Sequence, residues 1–261
     1  MTLICIASPK GGVGKTTLTA NLAYTLQRLG LNVTVIDFDS QDALKLHFGI
    51  PVNDTQGYVA HAGTSADWRH LVRSTPSGIN VLAYGHSTYE ERYNFESFLI
   101  NKPEAFKQAL QGLCKSPGDI VLADLPPGHS GSLHAVCRLK PLCVTALLAD
   151  SASLAVLPTI ENKSFYPASV EGHIYYVINQ LDLRNELSND VYGLLKKRLG
   201  ASLLGAVHRD AAVSEAHAQQ ISILQYAYTS AVVNDLEVIA HNIMRLLPDV
   251  LATQPLSRAK Q

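Results

Sequence analysis

The 261-residue sequence has no apolar run approaching the ~20 residues that a membrane-spanning helix needs. Its opening apolar stretch, Leu3–Ala7, is too short for a secretory leader and follows no basic segment. These absences argue against a membrane-spanning or exported chain, so the expectation is a soluble, cytoplasmic protein whose membrane association is at most peripheral. An excess of positive charge is also missing. The formal net charge is -1, which argues against a generally basic surface for nucleic acid, although a local patch stays possible. The four cysteines, Cys5, Cys114, Cys137 and Cys143, include no C-x-x-C pair. Neither a zinc ribbon nor a dithiol redox motif is expected, and the four read as buried thiols in a reducing compartment. With 47% hydrophobic and 16% charged residues, the composition is that of a folded chain.

What is present is a set of short, continuous apolar runs: LICIA (3–7), VTVID (33–37), INVLAY (79–84), DIVLAD (119–124), CVTALLAD (143–150), IYYVIN (174–179) and LLGAV (203–207). Continuity without alternation is the pattern of strands covered on both faces, as in a parallel sheet. Segments with apolar residues at helical spacing lie between them, at 15–30, 103–115, 189–200 and 231–247. Alternating strand and helix predicts an α/β fold, a doubly wound, mostly parallel sheet flanked by helices. A single domain is expected over 1–250, with a flexible tail at 251–261. Two stretches, 50–78 and 85–102, resist this reading. They mix aromatic with charged residues and are expected to be surface helices and loops or, alternatively, a partner surface.

The segment SPKGGVGKTT (8–17) follows the first predicted strand and opens the first predicted helix. A phosphate cradle needs backbone N–H groups converging on an anion, and glycine lets the chain turn tightly enough. Gly11, Gly12 and Gly14 meet that need, the helix N-terminus adds its dipole, Lys15 adds a charge, and Thr16 offers a hydroxyl to Mg²⁺. The usual spacing places glycine at position 9, where this chain has Pro9. Three acids end predicted strands: Asp37 and Asp39 in VIDFD, and Asp124 in VLADLPPG. Ligands of doubly wound sheets collect at the carboxyl ends of strands, so all three are expected near the loop. There they can hold a cation's water shell or orient an attacking water. The competing reading of each is a helix N-cap. Lys10, on residues alone, reads equally as a solvated lysine at the loop mouth.

KGGVGKTT (10–17), DFDSQDAL (37–44) and DLPPG (124–128) resemble the deviant phosphate loop and the two switches of the MinD/ParA group of P-loop ATPases. Within that group the sequence is most similar to the BcsQ family of bacterial cellulose-secretion operons. The segments carrying that likeness are SPKGGVGKTTLTANLAYTLQRLG (8–30), VIDFDSQDALKLHFGIP (35–51), GYVA (57–60), ADSASLAVLPTIEN (149–162), VINQLDLR (177–184) and LLGAVHRDAAVSEA (203–216). The resemblance implies an ATP- and Mg²⁺-dependent ATPase that forms a face-to-face homodimer. In it Lys10 reaches across to the partner's phosphates, and residues Gly11, Gly12, Val13, Gly14, Lys15, Thr16 and Thr17 bind the nucleotide of their own chain. Asp39 positions the attacking water, while Thr16, Asp37 and Asp124 serve the metal. Asn179 resembles the adenine-contacting asparagine of the group, with further base contacts from the turn holding His208 and Arg209. NQLD (179–182) also resembles the guanine-reading N-K-x-D motif, with Gln180 in place of lysine, so GTP stands as the alternative.

The BcsQ likeness further implies protein partners in the cellulose synthase complex at the inner membrane, including a small partner such as BcsR. No sequence-specific nucleic-acid binding is expected, and membrane contact only through partners. The rival readings are a partition ATPase that binds DNA nonspecifically, a membrane-positioning ATPase of MinD type, and a reductase with a cluster bridged by cysteines. The basic residues of the last third form no stripe, 241–251 makes a poor membrane anchor, and Cys137 lacks a suitably spaced second cysteine. His129 and His134 do not read as a ligand set.

Overall fold

A computed structural model of the chain describes residues 1–62, 67–116, 118–162, 164–170 and 172–247. The expected tail at 251–261 lies outside them. The strands are β1 (Thr2–Ala7), β2 (Val33–Asp37), β3 (Arg73–Ser74), β4 (Asn80–Leu82), β5 (Ile120–Asp124), β6 (Leu142–Leu148), β7 (Ile174–Leu181) and β8 (Leu203–His208). They form one sheet in the order β3-β4-β2-β5-β1-β6-β7-β8. Every pairing is parallel except that of β3 with β4. The order reverses around β1, which places the loop after β1 at the crevice where doubly wound sheets bind ligands.

The helices are α1 (Lys15–Arg28), α2 (Val59–Ala62), α3 (Tyr89–Asn101), α4 (Pro103–Gly112), α5 (Gly131–Cys137), α6 (Ser151–Ala155), α7 (Leu157–Glu161), α8 (Glu186–Leu199), α9 (Ala211–Ala218), α10 (Ile223–Tyr226) and α11 (Ala231–Arg245). Local chemistry sets their ends. Gly30, at φ +88°, turns the chain out of α1. Thr88 and Glu91 close a reciprocal capping box on α3. Pro103 occupies the first turn of α4, where its missing N–H costs nothing. No helix among the described residues is long and apolar enough to cross a membrane.

Side-chain parity along the strands divides the interior into two layers. On β1, Ile4 and Ile6 face an aliphatic layer built with α1 and α11, while Leu3, Cys5 and Ala7 face the opposite layer. That second layer is aromatic, holding Phe38, Tyr58, Trp68, Tyr84, Phe95, Phe98 and Phe106. The stretches 50–78 and 85–102 therefore do not make only surface structure. Tyr58 and Trp68 are fully buried, with ring centroids 4.7 Å apart. The device that joins the two stretches is a backbone crossing. Gly57 and Gly85 approach so closely that a Cβ on Gly57 would lie 2.3 Å from the Gly85 Cα. Hydrogen bonds from Tyr58 N to Ala83 O, Val59 N to Tyr84 O and His86 N to Thr55 O hold the crossing. Cys5, Cys137 and Cys143 are buried free thiols as expected, whereas Cys114 is half-exposed because it falls on the turn after α4.

Candidate functional site

The phosphate-loop segment runs from Ser8 to Gly14 between β1 and α1. Gly12 and Gly14 hold φ values of +74° and +83°, a region that side chains with a Cβ rarely adopt. Gly14 has a second reason to lack a side chain: its Cβ would lie 2.6 Å from the Asn179 amide nitrogen. Lys15 opens α1 and is buried, whereas Thr16 and Thr17 are half-exposed. Val13 is buried, and its carbonyl accepts a hydrogen bond from Asn179 Nδ2 at 2.8 Å. The end of β7 is thus tied directly to the loop.

Asp124 and Asp37 sit opposite each other in the register of β5 and β2, and both are almost wholly buried. Their bonding differs. Asp37 accepts Asp39 N on one oxygen at 2.9 Å and Leu44 N on the other at 3.1 Å, so it holds the turn that follows β2. Asp124 accepts Thr19 Oγ1 on Oδ1 at 3.2 Å, and its Oδ2 is buried without a partner. Burial pushes the Asp124 carboxyl up to about 6 against the opposing pull of Thr16, Lys15 and Thr19. Burial raises Asp37 as well, and the Asp124 charge adds to that. Two adjacent carboxylates with one orphaned oxygen beside a lysine and a threonine hydroxyl form a site that a divalent cation with its water shell would satisfy. Among the described residues no three His, Cys, Asp or Glu side chains gather into a ligand group. The site therefore suits a cation held largely through water and phosphate, as hard Mg²⁺ prefers. Asp39 is half-exposed beside this pair and accepts Gln41 N at 3.0 Å. Phe38, between the two acids, turns into the aromatic layer.

Lys10 does not point into its own loop. Its Nζ lies 2.6 Å from Asp150 Oδ2, at the end of β6, and both side chains are about a third exposed. Asp150 also caps α6, its Oδ1 accepting Ser153 N and Oγ, each at 2.8 Å. Sequence reasoning missed Asp150 and Thr19. Asp150 ends CVTALLAD just as Asp124 ends VLAD, so a third strand-end acid was open to the same argument. Thr19 stands one helical turn after Lys15, a spacing that carried no signal by itself.

Beside the loop opens a cavity of ≈ 760 Å³, lined among others by Gly14, Thr17, Asn179, Asp182, His208 and Arg209. Drug-sized ligands occupy clefts of about 300–1,000 Å³, a range that covers a nucleoside. His208 is held to α11, its ring Nδ1 and its backbone N both bonded to Asp235 Oδ2, at 2.8 and 2.9 Å. Arg209 donates its backbone N–H to Leu181 O at 2.9 Å, closing the ends of β7 and β8 together. Of the two histidines near the second switch segment, His129 packs its ring against Phe165 with centroids 5.3 Å apart.

A glycine-cornered loop on a central parallel strand, a buried lysine opening the next helix, and strand-end acids around them define a P-loop ATPase fold of the MinD/ParA kind. The fold is shared with the Mg-ADP complex of the septum site-determining protein MinD from Pyrococcus horikoshii OT3. That likeness has a TM-score of 0.72 at 22% identity and covers 94% of this chain and 96% of that one. A ParA family ATPase from Chlorobium tepidum TLS aligns with a TM-score of 0.69 at 19% identity, over 92% of this chain and 98% of that one. The family is narrower: the family model described as cellulose biosynthesis protein BcsQ matches residues 1–244, and the chain belongs to the BcsQ family. The cellulose biosynthesis protein BcsQ of Escherichia coli K12 is 26% identical over 251 residues, 92% of this chain and 93% of that protein.

Proposed function

We propose that this chain is an ATPase that dimerises on binding ATP and supports assembly or regulation of the cellulose synthase complex at the inner membrane. It would act there from the cytoplasm through protein partners, of which a small BcsR-like protein is one, and residues 1–250 would form its single ATPase domain. The observation that carries the dimer is the direction of Lys10. The loop glycines and Lys15 already serve the phosphates of this chain, while Lys10 is turned outward onto Asp150. A half-exposed ion pair of this kind contributes only about 0–1 kcal/mol. Lys10 can therefore leave Asp150 for a phosphate presented by a second subunit, and two-fold symmetry makes the exchange reciprocal.

In this reading the N–H groups of Gly11 to Thr17 and the Lys15 ammonium would hold the phosphates, and the Thr16 hydroxyl would serve the metal. The free Oδ2 of Asp124 would take a bond from the metal's water shell, and Asp37 would add its charge while holding the turn. Asp39 orients the attacking water. Mg²⁺, when bound, would neutralise charge developing on the transferred phosphoryl group. Asn179 has committed its amide nitrogen to Val13, leaving Oδ1 as an acceptor for the exocyclic amine of adenine.

The test is a mixing experiment. Lys10→Ala and Asp39→Ala should each abolish turnover, while both retain nucleotide. Hybrid dimers should recover part of the activity, because one site then has the neighbour's Lys10 and its own Asp39. Hybrids that form but stay inactive would remove the trans role of Lys10. Loss of cellulose secretion in a deletion strain, restored by the wild-type chain and not by Lys10→Ala, is the expected result in cells. Salt-sensitive retention of DNA with ATP present would favour the partition reading instead.

A further inference from the structure

Asp182 closes the NQLD segment and lines the cavity beside the phosphate loop. In a guanine-reading site, a carboxylate at this place accepts two hydrogen bonds, from N1–H and the 2-amino group of the base. Here both oxygens are already engaged. Asp182 Oδ1 accepts the Arg184 backbone N–H at 3.1 Å and its Nε at 3.0 Å, and Oδ2 accepts Nη2 at 3.2 Å. Arg184 lines the same cavity, as does Arg209, whose charge also bears on Asp182. The neighbouring Gln180 stands where a guanine reader has lysine. Its backbone is left-handed at φ +54°, and its Nε2 lies 3.2 Å from where a Gly14 Cβ would be.

We infer that Arg184 is a specificity-determining residue that masks Asp182 and so biases the base pocket against guanine. The inference rests on the nucleotide reading given above and deepens it. A fork-shaped guanidinium is well suited to the task, because it engages both carboxylate oxygens side by side, in the bidentate geometry guanine would use. Adenine offers no donor pair at N1 and C2, so it loses nothing when Asp182 is masked. The mask is an exposed pair, with Arg184 at 86%, and exposed pairs are weak. Guanine can displace it at a modest cost, on the order of two- to fivefold in affinity.

The experiment is calorimetric titration of the full chain with Mg-ADP and Mg-GDP, which avoids ATP-driven dimerisation. The wild type should prefer ADP. Arg184→Ala should raise the affinity for GDP relative to ADP by about two- to fivefold. A further Asp182→Asn change in that background should cancel this gain and instead favour xanthosine diphosphate, since xanthine carries a carbonyl where guanine carries the amine. A merely structural role for the pair would not follow that base exchange. An unchanged ratio in Arg184→Ala, with ADP still preferred, overturns the inference and leaves the nucleotide reading standing. Wild-type affinity for GDP equal to that for ADP also overturns it. Failure of the wild type to bind either diphosphate would bring down the nucleotide reading and the inference with it.

Discussion

The two faces of the sheet are built from different materials. Under α1 and α11 the buried layer is aliphatic, with Phe48 its one buried aromatic side chain among the described residues. Under α3, α4 and α5 the layer is a network of rings in which Phe38, Tyr58 and Phe95 meet one another. The aliphatic side supports the helix that opens at Lys15, whereas the aromatic side supports the turns that carry Asp39 and follow Asp124. Both interiors are close-packed and transmit strain, and in the aromatic layer the preferred stacked and edge-to-face geometries couple several rings at once. The proposed phosphate loop thus rests on the aliphatic face. The segments proposed to respond to it rest on the aromatic one.

The strongest way to break the comparison is at glycine. Gly57→Ala places a Cβ 2.3 Å from three backbone atoms of Tyr84 and Gly85, none of which can step aside alone. The expected loss is more than about 4 kcal/mol, since the crossing and its hydrogen bonds must open. Gly30→Ala, at the end of α1, meets no atom within 4 Å and has only its φ of +88° against it. It should cost about 1–2 kcal/mol. Urea unfolding of the two variants should separate them clearly, and equal losses would mean the crossing is not a fixed point of the fold.

Next in size are the large-to-small changes within each layer. Phe95→Ala should cost about 3–5 kcal/mol and Leu22→Ala about 2–5 kcal/mol. Stability alone will not distinguish them, but turnover should. Phe95 packs on Phe38, with ring centroids 6.4 Å apart, and Phe38 lies between Asp37 and Asp39. ATP hydrolysis measured well below each variant's melting temperature should fall by about tenfold or more in Phe95→Ala, a shift of ~1.4 kcal/mol in the barrier. In Leu22→Ala it should change little.

These layers also explain which parts of the molecule were readable in advance. The backbone of the loop after β1 was, because Gly12 and Gly14 adopt the positive φ that the glycine spacing implied, and Lys15 opens the next helix as expected. The strand-end acids Asp37 and Asp124 fall side by side as the strand pattern implied. The parallel strands were readable because burial on both faces leaves continuous apolar runs. The aromatic layer was not. Tyr58, Trp68, Tyr84 and Phe95 come from separate short segments and follow no common period, so neither helical nor strand spacing reveals them. What unites them is the meeting of Gly57 and Gly85, and a contact between two glycines leaves no pattern along the chain. β3 has two residues, too few for any periodic signal. The partner of Lys10 was hidden for another reason: Asp150 is 140 positions away, and only the adjacency of β1 and β6 brings it near.

A smaller effect concerns acid. His47 is buried against the aliphatic side, its ring stacked on His217 with centroids 3.8 Å apart. Burial, and then the charge of His217, lower its pKa from 6.5 to about 3. The folded chain therefore refuses a proton that the unfolded chain accepts, and stability is lost as the pH falls from 6.5 toward 3. At pH 5 the loss amounts to about 2 kcal/mol. Asp124 acts in the opposite sense, because its folded pKa of about 6 lies above its unfolded value of 3.8. Its contribution is lost as the pH rises through that window. The measurement is accordingly a difference: the slope of unfolding free energy against pH between 5 and 7, wild type against His47→Gln. Near pH 5 the two contributions largely cancel in the wild type. The variant, which keeps only the Asp124 contribution, should lose stability with rising pH more steeply at the acid end, by about 1.3 kcal/mol per pH unit, and parallel slopes would reject the assignment.

The finest comparison uses one tyrosine hydroxyl on each face. Tyr58 OH donates to the backbone carbonyl of Asp37 at 3.0 Å from within the aromatic layer, where Tyr58 is fully buried. Tyr24 OH donates to the carbonyl of His47 at 2.9 Å on the aliphatic side, from a half-exposed position. The two bonds match in chemistry and length and differ in access to water. In Tyr58→Phe the Asp37 carbonyl loses a partner where water cannot easily replace it, so about 1–2 kcal/mol should be lost. In Tyr24→Phe solvent can take over, and the loss should be about 0.5 kcal/mol. Only the first change touches a residue beside the proposed cation. Tyr58→Phe should therefore also weaken the Mg²⁺ dependence of nucleotide binding by a few-fold, while Tyr24→Phe leaves it as it was. Paired unfolding and Mg²⁺ titrations read both effects. Identical behaviour of the two variants would show that the aromatic face does not reach the site through this bond, leaving Phe38 as the link between them.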